Sequence, residues 1–199
     1  MQKLYLGDKD ISGMMKMNDD FVYVPFGIPF ELEYLMIGGG GGAGYAPSGA
    51  AGGGGAGLLL NDTTTVQPGT SYSIVIGEGK GNTGTNPASG VTGGTTAAFS
   101  ISAYGGMGGA ATQGGTVRPV GNSGTNYGSR GGSAIQYPTV ADNDGGNVFG
   151  LDAGDAIAGT GGAGGGGTAT NGQDYDGVDL GSGGNPTPLN FDGQGIVYF

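Results

Sequence analysis

The sequence predicts a mainly β fold in which short strands alternate with glycine-rich polyproline-II-type (polyglycine) helices, with little or no α-helix. Three observations carry this. Glycine supplies 52 of the 199 residues, against about 7% in ordinary proteins. Inside the glycine tracts, side chains recur at every third residue, as in Tyr104-Gly-Gly-Met107-Gly-Gly-Ala110 and on through Gln113-Gly-Gly-Thr116. Outside the tracts, the apolar runs are short and rich in β-branched and aromatic residues, the composition of strands. A three-residue period is the repeat of the polyproline II helix, which makes no internal hydrogen bonds and turns its N–H and C=O groups outward. Those groups must find partners when buried. Neighbouring chains supply them only where no side chain projects between, so glycine on two of three faces permits a bundle. Collagen has one glycine in three because one face of each chain meets its crowded axis, and this chain has the complementary pattern.

In chain order, residues 1–37 read as an N-terminal β module and a possible docking segment. Lys3-Leu4-Tyr5-Leu6 and Phe21-Val22-Tyr23-Val24 are β-prone, Gly7-Asp8-Lys9-Asp10 supplies a turn, and Met14-Met15-Lys16-Met17 offers an apolar docking surface. Phe30 to Ile37 begins with the alternation of a half-buried strand and ends fully apolar. Residues 38–199 form the glycine-rich body. Its further strand candidates are Gly57 to Leu60, Tyr72 to Ile76, Ala97 to Tyr104 and Ile196 to Phe199. The three-residue unit returns at Thr92-Gly-Gly-Thr95, Arg130-Gly-Gly-Ser133, Thr160-Gly-Gly-Ala163 and Ser182-Gly-Gly-Asn185. Tyr104, Met107, Ala110 and Gln113 are expected to face solvent or a flanking layer.

Composition also excludes functions. The formal net charge is −10, from six basic and sixteen acidic residues, and nucleic-acid binding needs Lys and Arg to displace condensed counterions. No apolar run approaches the ~20 residues of a membrane-spanning helix, so no membrane insertion is expected, and no secretion signal opens the chain. Cysteine, histidine and tryptophan are absent, which removes disulfides, thiol chemistry and the commonest general base. No enzyme activity and no cofactor are expected. Gly77-Glu78-Gly79-Lys80-Gly81 lacks the P-loop spacing and its Ser or Thr, and reads as a turn between strands. Two acidic stretches, Asp142-Asn143-Asp144-Gly145 and Asp174-Tyr175-Asp176-Gly177-Val178-Asp179, are the nearest approach to a calcium ligand set. Ala153 and Asn185 stand where an EF-hand loop needs Glu, so solvated turns are the expectation and no metal is assigned to Asp142, Asp144, Asp174, Asp176 or Asp179.

Several of these segments resemble one known domain. Glu33-Tyr34-Leu35-Met36-Ile37 runs into Gly38 to Gly42. Val66-Gln67-Pro68-Gly69-Thr70-Ser71-Tyr72-Ser73-Ile74-Val75-Ile76-Gly77 follows, and Gly193-Gln194-Gly195-Ile196-Val197-Tyr198-Phe199 closes the chain. The order is similar to the glycine-rich domain of bacteriophage tail-fibre and adhesin-type virion proteins. Lys3 to Ile11 also resembles a short N-terminal segment of phage fibre proteins. The resemblance implies a virion protein made in the host cytoplasm, a homo-oligomer among other virion proteins, whose loops attach the particle to a host surface glycan or protein. Several tracts here are short and diluted by Ala and Thr, a departure from long polyglycine helices.

A rigid scaffold places recognition on the segments between its tracts. The candidate contact residues are Tyr45, Tyr127, Arg130, Tyr137, Phe149 and Tyr175. Exposed tyrosines offer rigid amphipathic surface with little entropy to lose, while the same rings packed into the bundle would be structural. A purely architectural virion protein, such as a capsid decoration, neck or fibre anchor, is the alternative function. An ice-binding protein presenting regularly spaced small side chains is a more distant one.

Overall fold

The computed structural model of the chain describes residues 5–6, 9–10, 14–17, 20–23, 27–82, 84, 87–114, 116–118, 126–136, 139–141, 147–156, 160–176, 179, 181–189 and 197–198. These residues form strands, turns and extended tracts, with no helix among them. The mainly β class therefore holds. Two compact units are present, Met1–Tyr34 with Asn61–Ser73, and Leu35–Leu60 with Ile74–Phe199.

In the first unit, Tyr5–Leu6 pairs antiparallel with Lys9–Asp10, and Met14–Met17 with Asp20–Tyr23. Strand Phe30–Ile37 pairs with Leu59–Val66, and both run on into the second unit. Phe30–Ile37 has the expected bounds, with Tyr34 and Met36 buried on one face. Leu59–Val66 extends well past the apolar Leu58-Leu59-Leu60, because Thr63, Thr64, Thr65 and Val66 are β-branched and favour a pleated strand.

Among its described residues the second unit carries three three-stranded antiparallel sheets. Ile74–Val75 lies beside Thr96–Ala98, which pairs with Ile101–Ala103. Ala50–Ala51 lies beside Ala111–Gln113, which pairs with Thr116–Arg118. Ala134–Gln136 sits between Thr139–Ala141 and Thr160–Gly162. Asn126–Tyr127 and Asn147–Val148 run parallel, and Pro188–Leu189 pairs with Val197–Tyr198. The expected strand from Ala97 to Tyr104 is instead a hairpin. Phe99 and Ser100 have φ of 54° and 64°, the two positive values of a type I′ turn.

Between the sheets run the glycine tracts, held by backbone hydrogen bonds with a three-residue step. The N–H groups of Gly38, Gly41 and Gly44 donate to the carbonyls of Leu58, Gly55 and Gly52 at 2.9–3.0 Å, so residues 38–44 and 52–58 are antiparallel. Gly52, Gly55 and Leu58 donate in turn to Ala110, Met107 and Tyr104. In residues 104–110, Gly106 and Gly109 donate to Gly39 and Gly42, whereas Met107 and Ala110 donate to Ser129 and Gly132. Successive residues thus address different neighbours, and each neighbour is revisited every third residue. A β ladder alternates at every second. Residues 77–81 belong to this network and are no turn: Lys80 donates to Gly40, while Glu78 and Gly81 accept from Gly94 and Val91.

Sterics explain the glycine. Among the described glycines only Gly27, Gly69, Gly84 and Gly114 use a left-handed backbone, so the tract glycines are not there for conformational freedom. A Cβ on Gly38 would stand 2.1 Å from the Tyr104 carbonyl oxygen, one on Gly106 1.9 Å from that of Gly55, and one on Gly165 2.1 Å from that of Gly54. At most tract positions the obstacle is another backbone, which cannot move aside as a flexible side chain can. Met107 and Ala110 have no exposed surface and Gln113 is half-buried, so the every-third side chains face a flanking layer. Small clusters seal it, Ala50 with Ala110 and Ala134, and Ile135 with Ala156, Ala163 and Tyr175.

Candidate functional site

One hollow in the second unit lies where the tract of residues 52–58 ends. It is a cleft of about 250 Å³ walled by Leu58, Leu59, Phe149 and Leu151, with Ser129 and Thr168 completing it. Its position follows from the hydrogen-bond register. Phe149 and Gly150 donate to Tyr127 and Gly128, and Arg130 donates to Leu151, which lays residues 149–151 along residues 127–130. Ser129 locks the arrangement. Its N–H donates to Ala56, its hydroxyl donates to the Gly167 carbonyl at 2.8 Å, and the same oxygen accepts from the Leu151 N–H at 3.1 Å. One small buried residue therefore ties together four segments.

The Phe149 ring is largely exposed and leans on Tyr104, with centroids 5.0 Å apart and planes tilted by 34°. Beside the cleft, Arg130 Nε meets Asp152 Oδ1 at 3.2 Å. The Ser129 hydroxyl is already engaged twice, so what the cleft offers a visitor is apolar and aromatic surface rather than a reactive group.

The other candidates are scattered. Tyr45 is exposed, and its backbone pairs with Ala88 in both directions. Because Gly44 pairs with Gly52 while Gly38 pairs with Leu58, Tyr45 and Phe149 lie at opposite ends of the bundle. Tyr127 and Tyr175 are not exposed loop aromatics: only 2% and 7% of their surfaces are accessible. Tyr127 sits in a paired strand, and Tyr175 fills the space over Gly161, where a Cβ would strike its ring. Packing against the bundle is thus what these two rings do.

Tyr137, Asp142, Asp144 and the side chains of Met14–Met17 lie outside the described residues. In the second acidic stretch, Asp176 accepts from the nearby Asp179 N–H, as a turn-forming aspartate does, whereas Asp174 accepts from the Asp155 N–H and so ties two distant segments together. Among the described residues no group of three acidic side chains is placed to hold a metal ion. No helix among them is long and apolar enough to cross a membrane. Sequence reasoning missed the cleft walls Leu58, Leu59 and Leu151 and the clamp Ser129. The one available signal was Leu58-Leu59-Leu60, the chain's longest leucine run, set directly after a glycine tract.

Fold and cleft together define a class: among the described residues, a mainly β protein whose body is a bundle of backbone-bonded glycine tracts. The chain belongs to the glycine-rich domain family, whose profile matches residues 21–196. No curated protein and no solved structure matches it.

Proposed function

We propose that this protein is a non-enzymatic structural and binding component of a bacteriophage particle, a homo-oligomeric tail-fibre or adhesin subunit in which polyglycine-II-type helices hold contact segments rigidly in place. The observation that carries this reading is the three-residue hydrogen-bond step among tracts whose Cβ positions are occupied by neighbouring backbone. Such a body cannot bend without breaking many bonds at once, which suits a part that must hold its surface in a fixed position on a particle. The apolar cleft beside Phe149 is the proposed contact for a host-surface molecule or for another virion protein.

An architectural role, as a fibre anchor, neck or decoration subunit, is the second reading. It is favoured by the placement of Tyr45 and Phe149 at opposite ends of the bundle, since contacts at both ends suit a spacer between neighbours better than a terminal tip.

Antibody labelling of intact particles tests the location, and absence of the chain from particles sinks both readings. Pre-incubating host cells with the purified protein separates them. A tip adhesin blocks adsorption and loses that effect in Phe149→Ala, whereas an architectural subunit leaves adsorption unchanged. Measured torsions near φ −75° and ψ +145° in residues 104–110 are the expectation for polyglycine II, and an ordinary pleated strand there would overturn that assignment.

A further inference from the structure

Residues 74–81 form an open edge of the second unit. Ile74–Val75 is the outermost strand of its sheet, hydrogen-bonded only to Thr96–Ala98 among the described residues. Ile74, Val75 and Ile76 are 62%, 55% and 73% exposed, so both faces of this strand are open. An apolar, unpaired edge of this kind invites another chain, and proteins normally blunt it with charge or cover it. Downstream, Glu78 and Lys80 pair with each other at the surface.

Two glycines of this edge, Gly79 and Gly81, differ from those inside, whereas a Cβ on Gly77 would stand 2.1 Å from the Gly94 carbonyl oxygen. A Cβ on Gly79 would find one atom at 3.9 Å, and Cβ atoms on Gly81 and on neighbouring Gly40 would find none within 4 Å. None of the three has a left-handed backbone. Within one chain neither space nor torsion calls for glycine here, although each glycine costs roughly 0.5–1 kcal/mol relative to alanine in regular structure.

We propose that the outer face of residues 74–81 docks against the same face of a second copy of this chain, antiparallel across a two-fold axis. Charge selects this occupant and this face. Two copies carrying a net charge of −10 each repel, but this edge presents one Glu and one Lys and is neutral. Antiparallel pairing centred on Gly79 sets Glu78 of each copy opposite Lys80 of the other, the opposite-charge cross-strand arrangement that stabilises paired strands. The bare backbone at Gly79 and Gly81 then permits the close approach that glycine permits inside the bundle, and the exposed Ile74–Ile76 run of each copy lies across from the residues that follow Gly81 of the other. An isologous contact of this kind closes on itself and yields a dimer or a building block of dihedral assemblies. The inference rests on the homo-oligomeric part of the function proposed above and on no other part of it.

Sedimentation of the full-length protein tests it. The wild type is expected to run at twice the mass of one chain, and Ile74→Asp/Ile76→Asp at the mass of one, with the circular dichroism spectrum of the wild type. Glu78→Lys and Lys80→Glu each place two like charges on the edge. Each is expected to be monomeric alone, and the two are expected to associate when mixed. A monomeric wild type overturns both this contact and the homo-oligomeric reading. A wild-type oligomer that survives all these substitutions overturns this contact alone, and so does a mixture that fails to associate.

Discussion

Replacing Gly106 by alanine probes the central physical claim, that tract glycines exist to let backbones touch. The new Cβ would lie 1.9 Å from the Gly55 carbonyl oxygen, 2.5 Å from its carbon and 2.6 Å from the Ala56 oxygen. All three atoms are backbone. Heavy atoms pack best at ~3.5–4.0 Å, so the tract at residues 52–58 would have to retreat by roughly 1.5 Å. The Gly55-to-Met107 bond, now 2.8 Å, cannot survive that retreat, and the bond from Gly106 to Gly39 is strained with it. Two buried bonds at about 1–3 kcal/mol each, with about 1–3 kcal/mol of overpacking, give a loss of roughly 2–8 kcal/mol once alanine's smaller unfolded-state entropy is credited. In a chain of this length that lowers the melting temperature by about 4–32 °C. The control is Gly183→Ala, where the nearest atom is 3.8 Å away and the backbone is not left-handed. There the change is expected to be neutral or stabilising by up to about 1 kcal/mol. Equilibrium denaturation of both variants at constant m-value is the assay. Equal stability of Gly106→Ala and Gly183→Ala would refute the steric account.

Three other outcomes are expected. Met107→Ala removes a fully buried side chain and should cost about 2–5 kcal/mol by urea unfolding; a loss under about 0.5 kcal/mol would mean that the flanking layer does not enclose it. Ser129→Ala deprives the Leu151 N–H of its acceptor and the Gly167 carbonyl of a donor, an expected loss of about 1–3 kcal/mol, and amide exchange at Leu151 should quicken while that at Gly41 stays slow. The Glu78 carboxyl is held below its ordinary value by the Lys80 hydrogen bond first and by the Lys80 charge second. The stabilisation it supplies is therefore present above the ordinary carboxylate range and fades as pH falls through the lowered value. Lys80→Ala should raise the Glu78 titration midpoint seen by NMR, and an unmoved midpoint would remove the pair from the account.

The parts of the fold that were legible in the sequence are those where a local pattern has one physical meaning. Phe30-Glu31-Leu32-Glu33-Tyr34 alternates as a half-buried strand must, and the strand has the expected bounds. The every-third side chains around Met107 announced a three-residue backbone step, and the hydrogen bonds have it. The turn at Phe99-Ser100 was illegible because neither residue is among the Asn, Asp and Gly that normally take a positive φ. Residues 77–81 were read as a turn because glycine alternates there with Glu and Lys instead of filling two positions in three. The edge of a lattice needs glycine only on its inner side, and sequence spacing alone does not tell an edge from a loop. For the site, Phe149 was named on an intervening segment and lines the cleft, while Arg130 lies half-buried beside it. Tyr127 and Tyr175 were misplaced because a tyrosine between glycine tracts packs as readily as it protrudes, and the choice depends on which tract lies beside it in space.

The way this body buries its surface bears on how it meets temperature. Nine of the sixteen buried apolar side chains among the described residues are alanine, and much of the remaining interior is peptide group packed on peptide group. Exposing apolar surface raises the heat capacity of an unfolding chain, whereas exposing polar surface lowers it. A protein that hides amides in place of leucines should therefore unfold with a heat-capacity increment well below the usual ~12–15 cal/mol/K per residue. Its stability curve is then shallow, changing little over a wide span of temperature.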